Sequence, residues 1–91
     1  MGNLGNAYTD LGDAKKAIEF YEKHLVIARE IGDRRGEGTA LFNLSLSLDN
    51  LGQRTKAIDV ARSALNIYEQ IESPYAERVR QTLAKWQNES K

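Results

Sequence analysis

A chain that repeats itself at a fixed spacing is restricted to stacking copies of one structural unit. Displacing this sequence by forty positions lays residues 3–31 over residues 43–71. It matches Asn3/Asn43, Leu4/Leu44, Leu11/Leu51, Gly12/Gly52, Lys16/Lys56, Ala17/Ala57, Ile18/Ile58, Leu25/Leu65, Ile27/Ile67 and Ile31/Ile71. Those ten identities in twenty-nine positions compare with about two expected from average composition. Such a period belongs to repeat architectures, in which each unit buries its apolar face against its neighbours.

The unit is helical. Ala17, Ile18, Tyr21, Leu25 and Ala28 recur at the three- and four-residue spacing of one helix face. Gly12 and Gly52 follow leucines where a helix can end in a left-handed residue, and Asp13 can then cap the next helix. Gly32 and Asp33 repeat that punctuation, and Ser73-Pro74 supplies a cap and a preset first residue for a last helix. Five helices are expected, near 2–11, 14–31, 35–51, 54–71 and 74–88. They divide a single domain over 1–91 into a first repeat at about 1–33, a second at about 34–72, and a capping helix at about 73–88. In that last helix Val79, Leu83 and Ala84 align with Ala40, Leu44 and Ser45. Tyr75, Ala76 and Trp86 extend its apolar stripe, while Glu77, Arg78, Gln81, Lys85 and Gln87 leave a polar outer face.

Composition narrows the function classes. Thirteen basic and thirteen acidic side chains balance, so no net field draws the chain to nucleic acid or to an anionic membrane. With no cysteine, disulfides, thiolate metal sites and thiol nucleophiles are excluded together. No apolar run reaches the roughly 18 to 20 residues of a membrane span, and "MGNLGNAYTDLGD" lacks the regions of a signal peptide, so a cytoplasmic location is expected. His24, the one histidine, has no second histidine to share a metal and no evident nucleophile to serve as base, and reads as a partly buried packing residue. "GDRRGEG" lacks the Lys-Ser/Thr ending of a phosphate loop and follows a helix, so Arg34 and Arg35 read as a solvated turn. No enzyme, cofactor or metal site is expected.

The residues resemble the tetratricopeptide repeat. Leu4, Gly5 and Tyr8 match the Leu-Gly-x-x-Tyr of its first helix, Gly12 its turn, and Ala17 with Tyr21 the Ala-x-x-x-aromatic of its second helix. The second copy is looser, with Leu44, Ser45 and Leu48, then Gly52, Ala57 and Ala61. The forty-residue period exceeds the family's usual 34, and the closing proline is missing from both copies. The longer second helix looks like the extended repeats of signalling adaptors. The resemblance implies an all-α, right-handed superhelical solenoid of helical hairpins, two repeats plus the capping helix. Gly5 and Ser45 would stand where the two helices of a hairpin approach.

The resemblance further implies a protein-interaction scaffold that holds a peptide or partner helix against the concave surface formed by the first helices. Carried over by position, that surface comprises Asn3, Asn6 and Asp10, then Thr39, Phe42, Asn43, Leu46 and Asn50, then Arg78, Gln81, Thr82 and Lys85. An asparagine both donates to and accepts from a peptide backbone, so Asn6 and Asn43 would hold an extended chain. Asn6, Asn43 and Arg78 also occupy three of the places with which some members grip a terminal carboxylate. The alternatives are a nucleic-acid-binding helical repeat, disfavoured by the balanced charge, and a purely structural oligomerisation module. Because the first copy starts inside a helix with no cap before it, the chain reads as the C-terminal end of a longer array or as a homodimer. Leu4, Ala7, Phe20, Ile27 and Ile31 are the residues for self-association.

Overall fold

The structure, a computed structural model, describes residues 11–89. Among them run four helices: α1 (Leu11–Ile31), α2 (Arg34–Asn50), α3 (Arg54–Gln70) and α4 (Tyr75–Glu89). These are the expected second to fifth helices. The expected first helix lies outside the described residues, together with Asn3, Leu4, Gly5, Asn6, Ala7, Tyr8 and Asp10. One detail differs: Gly12 and Asp13 are helical residues of α1 instead of forming a left-handed end and a cap. An aspartate there still faces the positive end of the helix dipole, and Arg29 in the last turn faces the negative end.

Three equivalent turns set the helices side by side. At twenty-residue intervals Gly32, Gly52 and Glu72 take positive φ values of 74°, 82° and 56°. Each is followed by an amide that bonds back to the helix it has just left: Asp33 N to Ala28 O at 2.8 Å, Gln53 N to Leu48 O at 2.9 Å, and Ser73 N to Tyr68 O at 2.8 Å. These are Schellman ends, in which a left-handed residue lets orphan carbonyls find donors. The following helices are started differently. Asp33 accepts from Gly36 N at 2.9 Å, Ser73 Oγ accepts from Tyr75 N at 3.1 Å, and Gln53 makes no side-chain cap. A Cβ at Gly36 would stand 2.3 Å from the Asp33 carboxylate, so this glycine keeps room for the cap.

Glu72 is the exception to the glycine pattern, since a side chain in the left-handed region costs about 1 to 2 kcal/mol. Glu72→Gly is expected to stabilise the chain by about 0.5 to 1 kcal/mol, because the relieved strain outweighs glycine's extra freedom in the unfolded chain. That corresponds to a Tm rise of about 2 to 8 °C for a domain of this size. Thermal circular dichroism reads it, and a fall in Tm would mean that the Glu72 side chain makes a contact worth more than the strain.

The core runs through all four helices. Leu25 of α1, Leu41, Leu44 and Leu48 of α2, Ala57, Ala61 and Ala64 of α3, and Val79, Leu83 and Trp86 of α4 form one buried cluster. The three alanines are fully buried, and their smallness lets α3 lie close to the large side chains of its neighbours. Ser45 is likewise fully buried, and its Oγ donates to Phe42 O at 2.6 Å. Gly38 is a close approach as well: a Cβ there would stand 2.8 Å from the Tyr68 ring. The expected alignment of α4 holds for burial at Val79 and Leu83, but Ala84 is exposed where Ser45 is enclosed. The reason is coverage: α2 packs broadly on both α1 and α3, whereas α4 does so on α3 alone.

Ion pairs tie the helices at their ends. Buried Glu37 accepts from Arg29 Nε of α1 at 3.1 Å and from Arg34 Nη1 at 3.0 Å, and Arg34 reaches on to Gln70 of α3. Arg34 and Arg35 are both exposed, as expected, but they stand in the first turn of α2 and not in a loop. Arg54 of α3 binds Asp49 of α2 and Glu89 of α4, and stacks its guanidinium 5.4 Å from the centre of the Trp86 ring. Its hydrogen bond to Asp49 raises the guanidinium pKa above its ordinary value, so it carries its charge throughout the usual pH range. His24 is half-buried, as a packing residue would be.

Candidate functional site

Between α2 and α4, with α3 as its floor, lies a groove of about 260 Å³. The helical period of α2 sends Thr39, Phe42, Asn43 and Leu46 to this side, because they follow one another at spacings of three, one and three. Tyr75 and Arg78, three apart in the first turn of α4, form the facing wall, and Tyr68 rises from α3 between them. The Tyr68 hydroxyl is engaged with Thr39 Oγ1 at 3.0 Å, so Tyr68 presents its ring to the groove. That ring stands 5.7 Å from the Tyr75 ring at 43°. Phe42 is buried at the base, while Leu46 and Tyr75 keep 37% and 51% of their surface exposed, an open apolar wall.

Of the residues expected to form the concave surface, the groove gathers Thr39, Phe42, Asn43, Leu46 and Arg78. Asn50, Gln81, Thr82 and Lys85 do not line it. Gln81 pairs with Glu77 at 3.5 Å, Thr82 donates back to Arg78 O at 3.0 Å, and Asn50 and Lys85 are exposed. Asn3, Asn6 and Asp10 lie outside the described residues. The lining is thus more aromatic and less amide-rich than the sequence suggested. Tyr68 and Tyr75 were missed, and the available signal was an aromatic on each side of the Ser73-Pro74 turn.

A larger hollow of about 500 Å³ opens at the α3–α4 turn, bounded by Glu69, Glu72, Glu77 and Arg80. Its one cation is already held, since Arg80 binds Glu69 at 2.9 Å and Glu77 at 3.2 Å. The hydrogen bond to Glu69 raises the Arg80 pKa above the ordinary value. Among the described residues no group of three or more acidic or histidine side chains stands placed to hold a metal ion. No helix among them is long and apolar enough to cross a membrane.

Comparison with known proteins agrees with this architecture. The human G-protein-signaling modulator 1 is 44% identical over 54 residues, which is 59% of this chain and 8% of that protein. The mouse and rat proteins of the same name are each 49% identical over 41 residues, 45% of this chain and 6% of theirs. The chain therefore spans less than a tenth of the relatives it matches. No solved structure gives a significant match. The model of the tetratricopeptide repeat matches residues 1–70. With that match covering most of its length, and with helices stacked in succession behind Schellman turns, the chain belongs to the tetratricopeptide repeat family.

Proposed function

We propose that the chain is a non-catalytic scaffold that binds a peptide or helix of a protein partner in the α2–α4 groove. Repeats of this family generally mediate protein–protein interaction, and the signalling modulators it resembles suit a place in a signalling assembly. The observation that carries the proposal is the open apolar wall of Leu46 and Tyr75 beside Asn43 and Arg78, formed by two of the helices that the family places on the concave side of its superhelix. Solvent-facing apolar surface rimmed by polar groups marks an interaction site. Residues 3, 6 and 10 would continue the same surface. The cytoplasm is the compartment this role fits.

Leu46→Asp combined with Asn43→Ala is expected to weaken a purified partner at least tenfold, since a charge enters an apolar contact while a backbone-binding amide is lost. Melting should move little, because Leu46 is partly exposed and Asn43 is not in the buried core. Affinity capture with the intact natural protein would identify the partner, and calorimetric titration would then compare the two chains. Equal affinity would place the binding face elsewhere.

A second reading, self-association, is favoured by one face of α1. Phe20, Ile27 and Ile31 lie along one side of that helix and are 65%, 55% and 71% exposed. Their counterparts forty residues on fare differently: Ile67 is buried, Val60 is half-buried and Ile71 is 37% exposed, under the helices flanking α3. A second copy would cover the α1 face as those helices cover α3. Light scattering across a concentration series is expected to show a dimer that Ile27→Glu with Ile31→Glu converts to monomer. A monomer at every concentration would show that no second copy uses this face.

A further inference from the structure

We propose that α4 is exchanged between two copies of the chain, each copy's α4 docking on the α3 of the other. Association through the α1 face would instead leave every α4 on its own chain. Three observations carry the exchange. The first is that α4 is seated on one helix. Ala76, Val79, Leu83 and Trp86 are its buried residues, and its broad packing is on α3. The polar and ring contacts that join it to the fold reach α3 as well: Tyr75 meets Tyr68, Arg80 meets Glu69, and Trp86 and Glu89 meet Arg54. The α3 of a second copy offers the same seat, so contacts broken on leaving are made again on arrival.

The second observation is strain in the turn. Of the two outer helices among those described, α1 is joined through Gly32, which takes its φ of 74° freely, whereas α4 is joined through Glu72 at 56°. A short strained hinge invites exchange, because opening it releases the strain once per chain. In return each chain gives up the bond from Ser73 N to Tyr68 O, which water replaces. The third observation is reach. Pro74 disfavours a helical conformation at Ser73, so the opened link runs extended instead of fusing α3 and α4 into one helix. The four residues 71–74 span about 13 Å when extended, more than the roughly 8 to 10 Å between packed helices.

Two variants of the full 91-residue chain, Glu69→Arg and Arg80→Glu, test the exchange. Either one alone sets like charges between α3 and α4, both in its monomer and in a dimer with itself. In an exchanged dimer of one variant with the other, opposite charges face each other at both α3–α4 contacts. Native mass spectrometry resolves the three dimers by mass. The mixed dimer is expected to have an association constant about tenfold above that of either variant with itself, from about threefold at each of two exposed ion pairs. Equal constants would mean that each α4 stays on its own chain, and a mixture that remains monomeric at millimolar concentration would mean that no second copy binds. Either result overturns the proposal. In the otherwise natural chain, Glu72→Gly should weaken the dimer about tenfold by analytical ultracentrifugation, since two strained turns are no longer relieved on opening. An unchanged dimer affinity would remove the strain that drives the exchange, and the proposal with it.

Discussion

Replacing Trp86 with alanine is expected to destabilise the chain by about 3 to 5 kcal/mol, the usual cost of removing a buried aromatic and leaving a cavity. The indole is 4% exposed and belongs to the continuous core, and its ring also carries the Arg54 guanidinium at 5.4 Å. Small domains are stable by only about 5 to 15 kcal/mol in total, so the variant should be largely unfolded at body temperature or lack a fixed α4. Because Trp86 is the only tryptophan, fluorescence is lost with it, and urea unfolding followed by far-ultraviolet circular dichroism is the measurement. Trp86→Phe should recover a large part of the loss by refilling the space. A midpoint unchanged in the alanine variant would mean that the ring makes no core contact of consequence.

Ser45→Leu should be the most damaging change that enlarges a side chain, at about 1 to 3 kcal/mol. Ser45 has no exposed surface, and its hydroxyl reaches only to Phe42 O within its own helix. A leucine must therefore push the adjoining helices apart. Ser45→Ala separates size from hydrogen bonding: it removes one short-range bond and should cost no more than about 1.5 kcal/mol. Chemical denaturation of the three chains gives the order. A leucine variant as stable as the alanine variant would show that the space beside residue 45 can open without loss.

Helix positions were legible because they are written locally. The three- and four-residue spacing of Tyr21, Leu25 and Ala28, the glycines at 32 and 52, and Ser73-Pro74 each act within one or two turns of chain. What depended on distant partners was not legible. Gly38 falls early in an expected helix with no local reason to be glycine, and its role becomes visible only once Tyr68 lies against it. Arg34 remains exposed, yet its hydrogen bond to Gln70, 36 residues on, could not be read from its neighbours in sequence. Glu72 gave no sign of a left-handed backbone, because turn glycine was the signal and glycine is absent there. The groove was half legible for the same reason. The resemblance to the repeat family placed Thr39, Phe42, Asn43 and Leu46 on one side of α2, but the tyrosines meet them only through the angles at which α3 and α4 dock.

Broad contacts in this chain join each described helix only to the next one along, and that arrangement governs how the molecule comes together and comes apart. Nearly every pairing closes a short loop, so the entropy of bringing contacting segments together is small and assembly can proceed quickly from any one hairpin. The same linearity makes the molecule open like a zipper. Helix α4 is held by α3 and by the reach of Arg54, so it can peel away while α1, α2 and α3 remain paired. Since Tyr75 and Arg78 travel with α4, the groove's integrity is set by how firmly that one helix stays docked, rather than by the stability of the whole chain.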